Sequence, residues 1–160
     1  MIDLAGKLAE QAVDYCVPRS RVEDARRHLE LTGSADRFVR LSREASELFT
    51  SLTNSGEGGE LLLFLLLERV LGVPQLLCKM SLKTNSEMHV HGTDGVHVKV
   101  LDNGRLGLYW CESKLYDDPQ SAVRACFDSI APFLLDEGNG AARRDLLLLR
   151  DHLDTGDDVL

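Results

Sequence analysis

The fold is decided by the stretch from Val96 to Glu112, VHVKVLDNGRLGLYWCE. Its first part alternates along the chain, which predicts a strand over Val96–Leu101. The next four residues, Asp102-Asn103-Gly104-Arg105, predict a hairpin turn, because Asn-Gly supplies the positive φ angles that such turns require. Leu106–Glu112 is then the returning strand, and Gln75–Leu82 reads as an earlier one. We therefore expect a small sheet that contains an antiparallel hairpin.

Helical periodicity dominates the chain before these strands. Apolar stripes at helical spacing predict helices that are interrupted at Pro18, stop at Gly33, and run again from Phe38 to Leu52. The cluster Asn54–Gly59 predicts a turn, and Glu60–Leu71 predicts a short helix that is apolar over most of its circumference. A helix of that kind is buried on several sides.

The helical pattern returns after the hairpin. A helix should start near Pro119, and a final Leu-rich helix should cover Ala141–His152. Residues 1–54 are expected to form a helical region packed on a core made by residues 55–160, the whole being one compact domain. The predicted fold class is α/β, a small mixed sheet flanked by helices.

Composition and charge limit the functions open to this chain. It has 160 residues, of which 44% are hydrophobic and 28% charged, values typical of a globular protein rather than a disordered or fibrous one. Its 18 basic and 26 acidic residues give a formal net charge of −8, which counts against a basic nucleic-acid coat protein. A nuclease is not excluded, because its metal site is itself built from carboxylates.

The same sequence predicts a cytoplasmic location without membrane contact. The longest apolar run, Leu61–Leu67, is too short for a bilayer span, which needs about 20 residues. The four cysteines are far apart and form no C-x-x-C pair, which argues against a zinc site and fits a reducing compartment.

Three charged residues form the candidate site. Glu112 and Lys114 are two positions apart, so both side chains project from the same face of a strand. A hairpin tip at residues 102–105 predicts that Glu112 lies opposite a residue near position 95, which brings Asp94 beside it. Two acids and a lysine at one end of a sheet can hold Mg²⁺ and orient a water molecule. The simpler interpretation is a surface ion pair with a nearby turn aspartate.

Four segments of the chain resemble the DUF1837 family: Ser55–Leu62, Lys79–Thr84, His91–His97 and Glu112–Tyr116. That family includes HamA, the nuclease subunit of the Hachiman anti-phage defence system, which works with a helicase. The pattern Asp94…Glu112-Ser113-Lys114 behind a helix that carries Glu60 is also similar to the PD-(D/E)xK nuclease superfamily. The fourth core strand of that superfamily, which would follow the helix near residues 119–136, is not evident, because Asp145–His152 reads as helical. The resemblance implies a DNA endonuclease or nickase that depends on Mg²⁺ or Mn²⁺, with DNA as substrate and a helicase as partner.

The resemblance also implies roles for individual residues. Asp94 and Glu112 would be metal ligands, the carbonyl of Ser113 a third contact, and Lys114 the residue that positions water. Glu60 would be an outer acid that joins the metal site.

Some alternatives stay open at this point. Glu57 competes with Glu60 for the role of outer acid. Lys79 and Lys83 are either solvated charges or contacts to a DNA backbone, and His97 could contact a substrate phosphate or pack near the site. A different class of function, a non-catalytic interaction subunit that retains the nuclease fold, is the second hypothesis. An intact set of Asp94, Glu112 and Lys114 favours the enzyme.

Overall fold

A computed structural model describes residues 3–49, 56–83 and 93–135, together with positions 140, 143, 147 and 150. The described residues form two compact units. The first contains residues 3–49, 56–57 and 78–83, and the second contains residues 58–77 and 93–135. The predicted division of the chain at residue 54 stays a prediction.

Along the chain, a series of helices is followed by the strands and then by one further helix. The described α-helices before the sheet are Leu4–Glu10 (α1), Ala12–Cys16 (α2), Arg19–Thr32 (α3), Asp36–Leu48 (α4) and Glu57–Leu65 (α5). A π-helical turn, Leu66–Val70, continues α5. The remaining elements are strand β1 (Gln75–Leu77), a 3₁₀ turn at Lys79–Leu82, strands β2 (Gly95–Val100) and β3 (Leu106–Cys111), and helix α6 (Pro119–Leu135). The predicted α/β class with a helical N-terminal region is confirmed.

The first unit is a helical cluster. Helix α2 packs against α4, and α4 packs against α3. The core contains Tyr15, Cys16, Ala25, Leu41 and Ala45, each at most 4% exposed. The predicted stop at Gly33 is confirmed, since this glycine takes φ 71° and its N–H donates to the Leu29 carbonyl at 2.8 Å.

The second unit contains the sheet. Its strand order is β1-β2-β3, and both pairings are antiparallel. Gly95 pairs with Cys111 and Val100 with Leu106, so the predicted hairpin is confirmed with a register one residue from the expected one. Val96 and Leu77 are the most deeply buried apolar side chains of the sheet.

Three boundaries differ from the expected ones. Strand β1 ends at Leu77 instead of Leu82, because the chain turns into the 3₁₀ segment. Helix α5 begins at Glu57, inside the segment predicted to be a turn. Helix α4 ends at Leu48 instead of Leu52, because the backbone of the next residue, Phe49, is extended. Most of the final predicted helix lies outside the described residues, although positions 143, 147 and 150 are helical. Within the part of the chain that the structure describes, no helix has the length and apolarity needed to cross a membrane.

Candidate active site

Asp94 and Glu112 lie at the same end of two neighbouring strands. Asp94 directly precedes β2 and Glu112 directly follows β3. Because Gly95 pairs with Cys111, the two acids flank the last pair of the ladder. The local sequence explains this placement, since the tight turn that contains Gly104 (φ 75°) sets the register of the whole hairpin. The structure therefore brings together the two acids that the sequence predicted.

Asp94 is held through one carboxylate oxygen. Its Oδ2 accepts hydrogen bonds from the main-chain N–H of Ser113 at 2.7 Å and from the Ser113 hydroxyl at 2.9 Å. No described residue donates to Oδ1. Ser113 was predicted to act through its carbonyl, and the structure adds that its two donors clamp Asp94. Because both hydrogen bonds from Ser113 go to Oδ2, Oδ1 is the oxygen that can bind a ligand from solvent.

Glu112 shows the same division between its two oxygens. Oε1 accepts from the Lys114 ammonium at 2.6 Å and from the Ser129 hydroxyl on α6 at 2.7 Å. Among the described residues nothing donates to Oε2. The Glu112 side chain is 8% exposed and the Lys114 side chain 30%, so the lysine is the more accessible member of the pair.

Lys114 carries a stable positive charge. Its hydrogen bond to Glu112 raises the pKa of the ammonium above the ordinary lysine value, and the charges of Glu112 and Asp94 act in the same direction. The group is therefore protonated at neutral pH. A protonated lysine donates hydrogen bonds and stabilises negative charge, and it does not abstract a proton.

Cys111 directly precedes Glu112 and is the thiol next to these acids in the chain. Burial raises the pKa of its thiol to about 11, and the charge of Asp94 adds to this effect. The thiol is protonated at neutral pH, whereas nucleophilic cysteines react as thiolates. Hydrolysis by attack of Cys111 is accordingly disfavoured.

A cleft of about 420 Å³ opens beside Glu112 and Lys114. Helices α5 and α6 form its sides, and the segment 112–115 forms the polar part of its wall. Helix α5 approaches this segment at Gly59, where an added Cβ would lie 3.2 Å from Leu115 Cγ and 3.3 Å from Ser113 Oγ. A side chain at this position would crowd Leu115 and the Ser113 hydroxyl that holds Asp94, so these neighbours would have to shift by a few tenths of an ångström.

Glu57 and Glu60 have different surroundings although both belong to α5. Glu57 lies in the first unit, where its carboxylate forms a buried ion pair with Lys83. Glu60 is half-buried in the second unit, which also contains Asp94 and Glu112. Among the described residues no group of three or more His, Cys, Asp or Glu side chains is arranged to hold a metal, so Glu60 is not gathered with those two acids into one. The outer-acid role stays a prediction, and the ion pair makes Glu57 the weaker candidate.

The sequence left Lys79 and Lys83 open as solvated charges or as contacts to a DNA backbone, and both alternatives need correction. Both residues lie in the first unit, and both side chains are removed from the surface. The Lys83 ammonium bonds Glu57 and donates to the Leu48 carbonyl at 3.2 Å. These groups stabilise the interior of that unit.

His97 is also buried. It is 1% exposed, its Nδ1 lies 2.9 Å from the Val73 carbonyl, and its ring lies near that of Phe64 at a centroid distance of 6.4 Å. Of its two expected roles, the structure supports packing and not contact with a substrate phosphate.

Ser129 is the member of this site that sequence reasoning missed. It lies 17 residues after Glu112, and nothing in the sequence links the two. The one available signal is its position three residues after Cys126, next to the predicted apolar side of α6.

A protein-family model matches nearly the whole chain. The model described as HamA matches residues 2–159 of the 160-residue chain. No curated protein and no solved structure matches the chain significantly.

Proposed function

Since this chain belongs to the HamA family, a family of anti-phage defence, we propose that it is the nuclease subunit of such a system. In this proposal it hydrolyses phosphodiester bonds in DNA, depends on Mg²⁺ or Mn²⁺, and is controlled by a helicase partner. The catalytic type is that of the PD-(D/E)xK enzymes, and the protein works in the cytoplasm.

The observation that carries the proposal is that the two oxygens of each carboxylate have different hydrogen-bond partners. Asp94 and Glu112 each use one oxygen to bond the protein, and each leaves the other oxygen without a described donor. Mg²⁺ in phosphate-processing sites commonly takes one or two carboxylates together with substrate phosphates and waters. The donor set therefore fits a hard divalent cation, with Asp94 and Glu112 as ligands and the Ser113 carbonyl as a further contact.

The cation would polarise a phosphoryl oxygen and lower the pKa of a nearby water molecule. The protein's own contribution to this chemistry is the ammonium group of Lys114. One of its three N–H donors bonds Glu112, and the others can orient the attacking water or stabilise the charge that grows on the phosphate. Lys114 lines the cleft together with Glu112 and Ser113.

The overall charge supports a requirement for a partner. A chain of charge −8 is repelled by DNA at long range, and the burial of Lys79 and Lys83 removes two cations that could have offset the repulsion. We expect the isolated chain to bind DNA weakly at about 150 mM salt. A larger basic helicase would supply the contacts that bind DNA.

The test is cleavage of plasmid DNA by the chain copurified with the product of the adjacent helicase reading frame, combined with phage plating. Glu112→Gln and Lys114→Ala should each abolish cleavage and protection. Asp128→Asn is the matched control, since it also removes one acidic charge from the second unit but lies exposed on α6. A soluble, folded Glu112→Gln protein that still cleaves DNA and protects cells would refute the proposal.

A further inference from the structure

Ser129 connects helix α6 to the acid that follows β3. Its hydroxyl donates to Glu112 Oε1 at 2.7 Å, the same oxygen that accepts from Lys114. The thiol of Cys126, one turn earlier on α6, lies 3.8 Å from the Glu112 main-chain carbonyl. Helix α6 thus contacts both the side chain and the backbone of Glu112.

This contact matters because Glu112 lies beyond the last residue of β3. The strand ladder does not hold its backbone, and a glutamate side chain has several rotatable bonds. Lys114 alone would restrain Oε1 through a flexible chain that is partly exposed. A second donor on a helix fixes the carboxylate from another direction.

We propose that Ser129 is a positioning residue that holds Glu112 Oε1 and thereby leaves Oε2 available to a divalent cation. The inference rests on the proposed function, because it assigns Ser129 to the metal site described above. Groups that hydrogen-bond a metal-binding carboxylate set its orientation, and their removal typically weakens metal binding or activity about 10–100-fold.

The structure separates this role from a structural one. Ser129 is exposed, so its replacement by alanine opens no cavity in the core. Alanine also has the higher helix propensity, which offsets part of the lost hydrogen bond to Glu112, so Ser129→Ala should change the unfolding temperature of the metal-free protein only slightly. A loss of metal affinity in that variant would therefore come from the missing hydroxyl.

The experiment titrates Mn²⁺ into the full-length protein and follows the thermal unfolding midpoint and Mn²⁺ binding by calorimetry. Ser129→Ala should raise the concentration at half-saturation about tenfold or more. Ser129→Thr retains a hydroxyl at an exposed position and should restore most of the affinity. Ser121→Ala removes a hydroxyl from the same helix that bonds Asp118 instead of Glu112, and it should leave the Mn²⁺ titration unchanged.

The possible outcomes distinguish the inference from the proposed function. If the unmutated chain binds Mn²⁺ and Ser129→Ala binds it equally well, the positioning role is refuted and the nuclease proposal stands. If Ser129→Thr binds as weakly as Ser129→Ala, the hydroxyl is not the group responsible, and the inference also fails. If the unmutated chain does not bind Mn²⁺, the metal site itself is refuted, and the inference falls with it.

Discussion

The buried ion pair between Glu57 and Lys83 predicts that Glu57 has a structural role. The side chains are 10% and 6% exposed, and the Lys83 ammonium also bonds the Leu48 carbonyl. Removing one partner of a buried pair typically costs about 3–5 kcal/mol, because the other charge is left uncompensated. Glutamine keeps the size of glutamate and one acceptor, so we expect Glu57→Gln to lower the free energy of unfolding by about 3 kcal/mol. For a chain of this length that corresponds to a fall of about 6–12 °C in the unfolding temperature.

The assay is urea unfolding followed by far-UV circular dichroism, with the fluorescence of Trp110 as a separate probe of the second unit. Lys83→Met should be at least as damaging as Glu57→Gln. Combining the two changes should cost less than the sum of the single effects, because no unpaired charge remains. If the proposed function holds, Glu57→Gln should cleave DNA at the normal rate together with the proposed helicase partner, at a temperature where the variant is folded.

Glu60→Gln is the comparison variant, and we expect it to lower cleavage partially. The reasoning would be refuted by a Glu57→Gln protein of normal stability that does not cleave DNA, together with an active Glu60→Gln protein. That result would assign the outer-acid role to Glu57.

Three further outcomes are expected. A divalent cation at about one hundred times its dissociation constant should stabilise the protein by about 2.7 kcal/mol, and Asp94→Asn should erase most of this gain in thermal unfolding with millimolar Mg²⁺ or Mn²⁺. Gly59→Ala should weaken the same metal-dependent shift, because its Cβ crowds the hydroxyl that holds Asp94, whereas Gly58→Ala has open space and should not; equal shifts in both variants would contradict this. Hydrogen bonds from Ser121 lower the pKa of Asp118, so this acid stabilises the start of α6 above its unfolded pKa and the stabilisation is lost as pH falls through the lower folded value. Asp118→Asn should remove that part of the acid dependence, as measured by unfolding temperatures between about pH 2 and pH 6, a range that includes the ordinary aspartate pKa.

Local sequence signals determined much of the framework of this protein. Asn103-Gly104 specified the hairpin, because few residues tolerate the positive φ angles of its turn. Gly33 ended α3 and Pro119 began α6 for equally local reasons, namely an αL cap and a fixed φ at the first helical position. Once the hairpin was known, Asp94 and Glu112 had to lie at one end of the sheet.

The tertiary structure alone decided which of these groups are available. Lys79, Lys83 and His97 read from the sequence as polar residues near a DNA site, and the fold buries all three. The bond from Ser129 to Glu112 joins residues 17 positions apart, on a helix and beyond the end of a strand. Turn and helix signals act between near neighbours in the chain, whereas burial and hydrogen-bond partners depend on segments that meet only after the elements pack. For that reason the candidate acids could be predicted from the sequence, and which oxygen of each acid bonds the protein could not.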